Sequence, residues 1–207
     1  MAEARLTPVR IGILASGSGT NAERLMLQLR GRVDMQVERV YSNAPSAGVI
    51  GRAHELNIPS HVFSKPELTS GALLDQLALD GIDFVVLAGF LLKVPASMVS
   101  YFAGRMANLH PALLPLFGGK GMYGEHVHHA VHQAVQQEGL CETGITLHWV
   151  TAGYDEGAIF FQASAALEMA DDPARIVDKV RALECKHFAV EMERAIESCF
   201  SLGRRSD

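Results

Sequence analysis

Residues 9–30 read VRIGILASGSGTNAERLMLQLR, and the succession of residue types within them decides the fold. Residues 9–15 form a short apolar run that reads as a buried strand. Ala15-Ser16-Gly17-Ser18-Gly19-Thr20-Asn21-Ala22 follows, and its glycines permit a tight turn with close backbone approach. Residues 21–30 then read as a helix with Leu25 and Leu29 on one face. A strand, a glycine turn and a helix are the opening of a β-α unit. The helix N-terminus presents amides to an anion, so the turn is a candidate phosphate site.

Working outward, the alternation repeats. Residues 35–41, 61–63 and 84–88 read as strands, and residues 47–56 and 66–79 as helices. The second helix carries Leu68, Leu73, Leu74 and Leu77 as its apolar positions. Residues 84–88 are nearly all apolar, as a central parallel strand requires. Repeated β-α units imply a parallel sheet with right-handed crossovers. The later part differs. Residues 106–109 and 144–150 read as strands flanking a helix over 126–135, residues 158–165 as a hairpin return, and residues 173–200 as a long helix begun after Asp171-Asp172. The expected architecture is a single α/β domain over 1–207. Its halves are a Rossmann-like part over 9–110 and a second part over 111–200.

Ligands of such open sheets bind at the carboxyl ends of the strands, where residues 17–21, 89–90 and 108–110 fall. Asn108 and His110 in Asn108-Leu109-His110-Pro111 project to the same side of an extended segment. They offer an amide donor and a titratable ring to one reacting atom. Asp155, in TAGYDEGAI, could orient that ring or raise its pKa. This trio suits attack on a carbonyl, with an oxyanion to hold and a proton to move. No Ser or Cys nucleophile is placed beside it, which favours direct transfer over a covalent intermediate.

Composition narrows the partners. The 207 residues carry 18 Lys and Arg against 23 Asp and Glu, for a net charge of −5, and the only basic run is Arg204-Arg205. A nucleic-acid binder is not expected. No apolar stretch is long enough to span a membrane, no signal-peptide cleavage pattern follows the first strand, and the expected location is cytoplasmic. Cys141, Cys185 and Cys199 lack metal-ligand spacing and read as reduced. Gly17-x-Gly19-x-x-Ala22 fits a relaxed dinucleotide fingerprint. The second strand, however, ends in Tyr41-Ser42-Asn43 without the acidic ribose partner, and Glu38 comes too early. His126, His128, His129 and His132 cluster on a helix, and His128 and His132 have a metal-compatible spacing with no third ligand in view. A solvated face is the simpler reading, and no metal is expected. His148 reads equally well as a packed or a site residue, and Trp149 as core.

The blocks ILASGSGTNA, VVLAGFLLKVP, NLHPALLP, TGITLHWV and YDEGAIFFQ, in this order, resemble the phosphoribosylglycinamide formyltransferases. The likeness runs from about Val9 to about Phe200. It implies a three-layer α/β/α fold around a mostly parallel seven-stranded sheet. It also implies transfer of a formyl group from the cosubstrate 10-formyltetrahydrofolate to the amine of glycinamide ribonucleotide. By this resemblance Gly19, Thr20 and Asn21 hold the substrate phosphate, and Glu184 lies near the ribose and glycinamide. Asn108 and His110 act on the formyl carbon with Asp155 in support. Leu91, Leu92, Lys93 and Val94, with Thr151, Ala152, Gly153 and Tyr154, enclose the folate. The 111–200 half would then be the folate-binding and catalytic one. Two basic folate contacts of the family are missing, at Gly71 and Leu92, and Lys120 could replace a cation. The expected partners are these two small molecules, and the expected assembly a monomer or homodimer. Two rivals remain open. A formyltetrahydrofolate hydrolase would use the same trio on water. It would not need the glycine turn, and only about eight residues precede the first strand where a regulatory domain would stand. A non-catalytic nucleotide-binding regulatory module would leave the trio without a purpose.

Overall fold

A computed structural model describes residues 7–200. The Arg204-Arg205 pair and the N-terminal segment read for a leader lie outside the described residues, apart from the first strand's approach. Seven strands form one sheet in the order β3-β2-β1-β4-β5-β6-β7. They are β1 (Val9–Leu14), β2 (Met35–Ser42), β3 (Ser60–Val62), β4 (Phe84–Leu87), β5 (Met106–His110), β6 (Glu142–Trp149) and β7 (Ile159–Ala166). Pairing is parallel from β3 through β5, then antiparallel for β5 with β6 and β6 with β7. The mostly parallel α/β sheet expected from the sequence is present.

Helices cover both faces. On one, α1 (Thr20–Gln28), α2 (Gly48–Glu55) and the long α7 (Pro173–Phe200) pack on Val9, Ile11 and Ile13. Leu25 and Met26 of α1 and Phe188, Met192 and Ile196 of α7 are their buried contacts. On the other face, α3 (Lys65–Ser70), α4 (Ala72–Leu79) and α5 (Ala96–Tyr101) bury Leu68, Leu73, Leu77 and Met98 against Leu14, Val85 and Leu87. A third cluster joins α6 (Glu125–Glu138), through Val127, Val131 and Val135, to Ile176 of α7. Burying the apolar faces of both helix layers on one sheet is the main source of stability.

Two readings need correction. The helix expected over 66–79 is two helices, α3 and α4, broken at Gly71, whose φ of 98° no continuous helix accommodates. A capping box starts α3: the Ser64 hydroxyl accepts from Glu67 N, and Glu67 Oε2 accepts from Ser64 N at 2.7 Å. Helix α5 was not anticipated. It has six residues after Pro95, too few to show a period. The start of α7 matches expectation, with Asp172 Oδ1 accepting from Arg175 N at 2.8 Å.

Candidate active site

Strand β1 has β2 on one side and β4 on the other, so the segments leaving β1 and β4 diverge and open a crevice. Ser16 ties its walls together. Its hydroxyl donates to Asn43 Oδ1 at 2.6 Å and accepts from Leu91 N at 3.1 Å, while Ser16 N donates to the Gly89 carbonyl at 3.0 Å. The loops after β1, β2 and β4 are therefore tied to one another through Ser16.

Gly19 is the N-cap of α1, with φ 77°. A Cβ there would lie 2.5 Å from the Val49 backbone, so both conformation and space demand glycine. Thr20 is exposed at the first turn. Asn21 reaches across to α7: its Nδ2 donates to Glu184 Oε2 at 2.9 Å, and its Oδ1 accepts from Arg24 at 3.0 Å. With that side chain engaged, the turn's backbone amides and the Thr20 hydroxyl are the groups left that an anion could meet. Arg52 fastens the turn from α2, donating to the Ser18 carbonyl at 2.9 Å and pairing with Glu23.

Asn108 and His110 end β5 on one side of the strand. Asn108 Nδ2 donates to His148 Nε2 at 3.0 Å, and His148 Nδ1 donates to the Trp149 carbonyl at 3.0 Å. A carbonyl only accepts, so the His148 tautomer is set: Nδ1 carries the proton and Nε2 accepts. One N–H of the Asn108 amide is thus consumed and the other remains for a ligand. His110 Nε2 donates to the Phe117 carbonyl at 2.8 Å, which leaves Nδ1 as the basic atom. Asp155 stands between the two rings, its Oδ2 3.6 Å from His110 Nδ1 and its Oδ1 3.6 Å from His148 Nε2. At this distance the contacts are too long for direct hydrogen bonds, and each becomes an ion pair only when its ring is protonated. Gly119 N donates to Asp155 Oδ2 at 3.0 Å and fixes the carboxylate.

The backbone that supplies these partners is constrained. Phe117 and Asp155 both have left-handed φ, 55° and 54°. Asp adopts this region more readily than Phe. Gly157 closes the Asp155 turn on β6: a Cβ there would sit 1.6 Å from the Trp149 carbonyl oxygen. Opposite His148 the register of β6 and β7 slips, leaving Phe160 as the extra residue of a bulge. Bulges of this kind re-aim side chains beside active sites.

Charge states follow from burial. His110 is 3% exposed, and desolvation pushes its pKa below the usual value; His148 adds to this, and Asp155 and the Phe117 carbonyl oppose it without prevailing. The sequence reading that Asp155 raises the His110 pKa holds for Asp155's own effect, not for the net. The resting ring is neutral near pH 7, not an imidazolium. Burial tends to raise the Asp155 pKa, but His148, His110 and the Gly119 N–H together hold it below the usual carboxylate range. Burial raises Glu184, outweighing Asn21, Arg24 and Arg181.

A cleft of about 520 Å³ runs through this site. Asn108, His110, Asp155, Asn21 and Glu184 all border it. So do both segments that the resemblance assigns to folate, Leu91, Leu92, Lys93 and Val94 together with Thr151, Ala152, Gly153 and Tyr154. The Lys93 ammonium lies 4.7 Å from the Tyr154 ring centre, linking the two segments. Lys120 also borders the cleft, whereas Gly71 does not. Gly19 and Thr20 stand just outside, at the head of α1. Sequence reasoning did not assign the Phe117 carbonyl or the Gly119 N–H, and left His148 undecided. Nothing in their spacing marks them, because they act through backbone groups or across strands. Among the described residues, no three His, Cys, Asp or Glu side chains gather so as to hold a metal ion. No helix there is long and apolar enough to cross a membrane.

Residues 9–191 match the formyl transferase family. The chain belongs to that family. Among formyl transferases it is 35% identical over 194 residues to a chloroplastic phosphoribosylglycinamide formyltransferase of Arabidopsis thaliana, covering 90% of this chain. It spans 65% of that relative's own length. It spans under a fifth of the trifunctional purine biosynthetic proteins it also matches. A phosphoribosylglycinamide formyltransferase of Bacillus subtilis is 29% identical, with 86% of this chain and 90% of that one covered. The crystal structure of glycinamide ribonucleotide transformylase 1 from Symbiobacterium toebii superposes with a TM-score of 0.80 at 29% identity. That likeness covers 95% of this formyl transferase and 90% of the other.

Proposed function

We propose that this formyl transferase moves the formyl group of 10-formyltetrahydrofolate to the amine of 5'-phosphoribosylglycinamide, a step of purine biosynthesis. One observation carries the reading. Asn108, His110 and Asp155 border a single cleft together with Asn21, in the first turn of α1, and its partner Glu184, with the glycine turn just outside. A carbonyl-transfer centre and an anion-binding turn thus serve the two ends of one substrate. A formyltetrahydrofolate hydrolase would account for the cluster but leave the turn and Glu184 unused. A non-catalytic module would leave the cluster unused.

The geometry supports a sequence of steps. The neutral amine attacks the formyl carbon, and the carbonyl oxygen becomes an oxyanion. The remaining N–H of Asn108 donates to it. Forming the new C–N bond acidifies the amine, and neutral His110 accepts its proton at Nδ1. The imidazolium so formed is stabilised by Asp155 and the Phe117 carbonyl. The same proton passes to the folate N10 as its bond to the formyl carbon breaks, releasing tetrahydrofolate and the formamide product. His110 is therefore neutral at rest and charged in mid-turnover. The Lys93, Tyr154 and Leu91 side of the cleft receives the folate, and the Asn21 and Glu184 side the ribonucleotide.

The test is a formyl-transfer assay with purified protein, 10-formyltetrahydrofolate and glycinamide ribonucleotide. Formyl-glycinamide ribonucleotide should form in step with tetrahydrofolate. Release of formate with no dependence on the ribonucleotide would establish the hydrolase instead.

A further inference from the structure

His128 borders the cleft from the first turns of α6, and the mechanism above does not use it. Its Nδ1 is buried and has no hydrogen-bond partner. An unpaired buried N–H is costlier than an unpaired buried lone pair. The ring's proton therefore belongs on Nε2, and the edge left to face the cleft carries a donor. Its surroundings favour the neutral ring. Burial comes first; Arg181 and His129, then His110, also disfavour an imidazolium, and Glu125 alone opposes them. Protonation would also bury an unpaired charged N–H at Nδ1.

Its position assigns its ligand. His128 is close enough to His110 for their charges to interact, and close enough to Arg181 of α7. Arg181 lies one helical turn before Glu184, which borders the cleft on the ribonucleotide side. A group between the reacting carbon and that wall meets the part of the substrate nearest the attacking amine. The first oxygen there is that of the glycinamide carbonyl, three bonds from the amine nitrogen.

We infer that His128 is a substrate-positioning residue that donates Nε2–H to the glycinamide carbonyl oxygen, aligning the amine for attack. This rests on the ribonucleotide reading above. A fixed neutral donor suits the task, because it holds a neutral oxygen without raising the amine's proton affinity or competing with His110 for its proton.

The experiment compares His128→Ala and His128→Gln with the unmodified protein in the transfer assay. The side-chain amide nitrogen of Gln stands near the place of the His Nε2. KM for glycinamide ribonucleotide should rise about 3- to 10-fold in His128→Ala, the worth of one neutral hydrogen bond. KM for 10-formyltetrahydrofolate should stay within twofold, and His128→Gln should restore most of the loss. The pH–rate profile should keep its shape in both variants, since the ring does not titrate in turnover. Equal loss in both variants would overturn the inference. So would a KM change shared by both substrates, or the disappearance of one limb of the profile, which would make His128 a base. Thermal unfolding of each variant separates misfolding from these outcomes. Failure of the unmodified protein to formylate the ribonucleotide would instead defeat the proposed function.

Discussion

His110 is held by a backbone carbonyl on Nε2 and faces a carboxylate from Nδ1, so its two nitrogens have different tasks. One anchors the ring, and the other exchanges the proton. Asp155 raises this histidine's pKa against the stronger lowering by burial. Asp155→Asn removes that opposition while keeping the shape, so the His110 pKa should fall further below its ordinary value. Activity needs the neutral ring and rises with pH through that pKa. The acidic limb of the pH–rate profile should therefore shift to lower pH, and the acidic side should be better preserved than the neutral side. The rate at neutral pH should fall, because a weaker base accepts the amine proton less readily. NMR titration of the His110 ring in both proteins checks the shift, and an equal or higher pKa in the variant would remove this role from Asp155. Asn108→Ala should lower kcat by roughly 100- to 1000-fold, as loss of an oxyanion donor does. Steady-state kinetics on folded protein would show it, and a loss under about tenfold would move oxyanion binding elsewhere.

At the scale of elements, the head of α1 is held from three directions. Ser16 joins it to the loops after β2 and β4, Arg52 of α2 grips the Ser18 carbonyl, and Asn21 bonds to Glu184 of α7. The turn can therefore present its amides with little reorganisation on binding, which favours affinity. Gly19→Val places a branched side chain where a Cβ already meets Val49 at 2.5 Å, and imposes a left-handed φ of 77° on a β-branched residue. The turn should open and KM for the ribonucleotide should rise by about tenfold or more, the scale of one or more lost phosphate hydrogen bonds. KM for the folate should change far less. Equal changes in both would mean the damage had spread beyond the turn. Helices α3 and α4 carry a plain lesson about reading helices. Leu68, Leu73 and Leu77 all face one core, so their pattern runs through Gly71 without a mark, and only its φ of 98° shows the break.

Across the whole molecule, α7 spans the sheet and connects the site to the far end of the fold. Near its C-terminal end Glu193 and Glu197 meet Arg32, at 2.6 and 2.8 Å, and Arg32 also pairs with Asp34 at 2.6 Å. The Arg32 side chain is only 5% exposed. Its guanidinium is held firmly protonated, the Asp34 hydrogen bond leading and outweighing burial. Arg32→Met would leave two mostly buried carboxylates without their shared cation. The expected cost is about 3–5 kcal/mol, as for breaking a buried pair from one side. A urea titration should show a lower midpoint with an unchanged slope. A cost below about 1 kcal/mol would place this cluster with ordinary surface pairs. Since α7 also carries Glu184, the variant's KM for the ribonucleotide would report whether the helix moves as a unit.

What was legible in the chain was what short-range chemistry dictates. The β-α order, the glycine turn and the adjacency of Asn108 and His110 follow from side-chain alternation and backbone freedom, which depend on neighbours in sequence. Asp155 was read as the ring's carboxylate from chemistry alone, and the likeness of the motif blocks to formyl transferases added the expected place of Glu184, distant in the chain. Other features depend on what the fold brings together. The His148 tautomer needs Asn108 on a paired strand, and the Phe117 carbonyl reaches His110 only because the loop after β5 turns back. The isolated Nδ1 of His128 is visible only once α6 has packed beside α7. The neutral resting state of His110 is the clearest case. Sequence placed a carboxylate beside the ring and so suggested a raised pKa. Packing decided the opposite, because the desolvation that outweighs Asp155 exists only when the surrounding chain has closed over the ring.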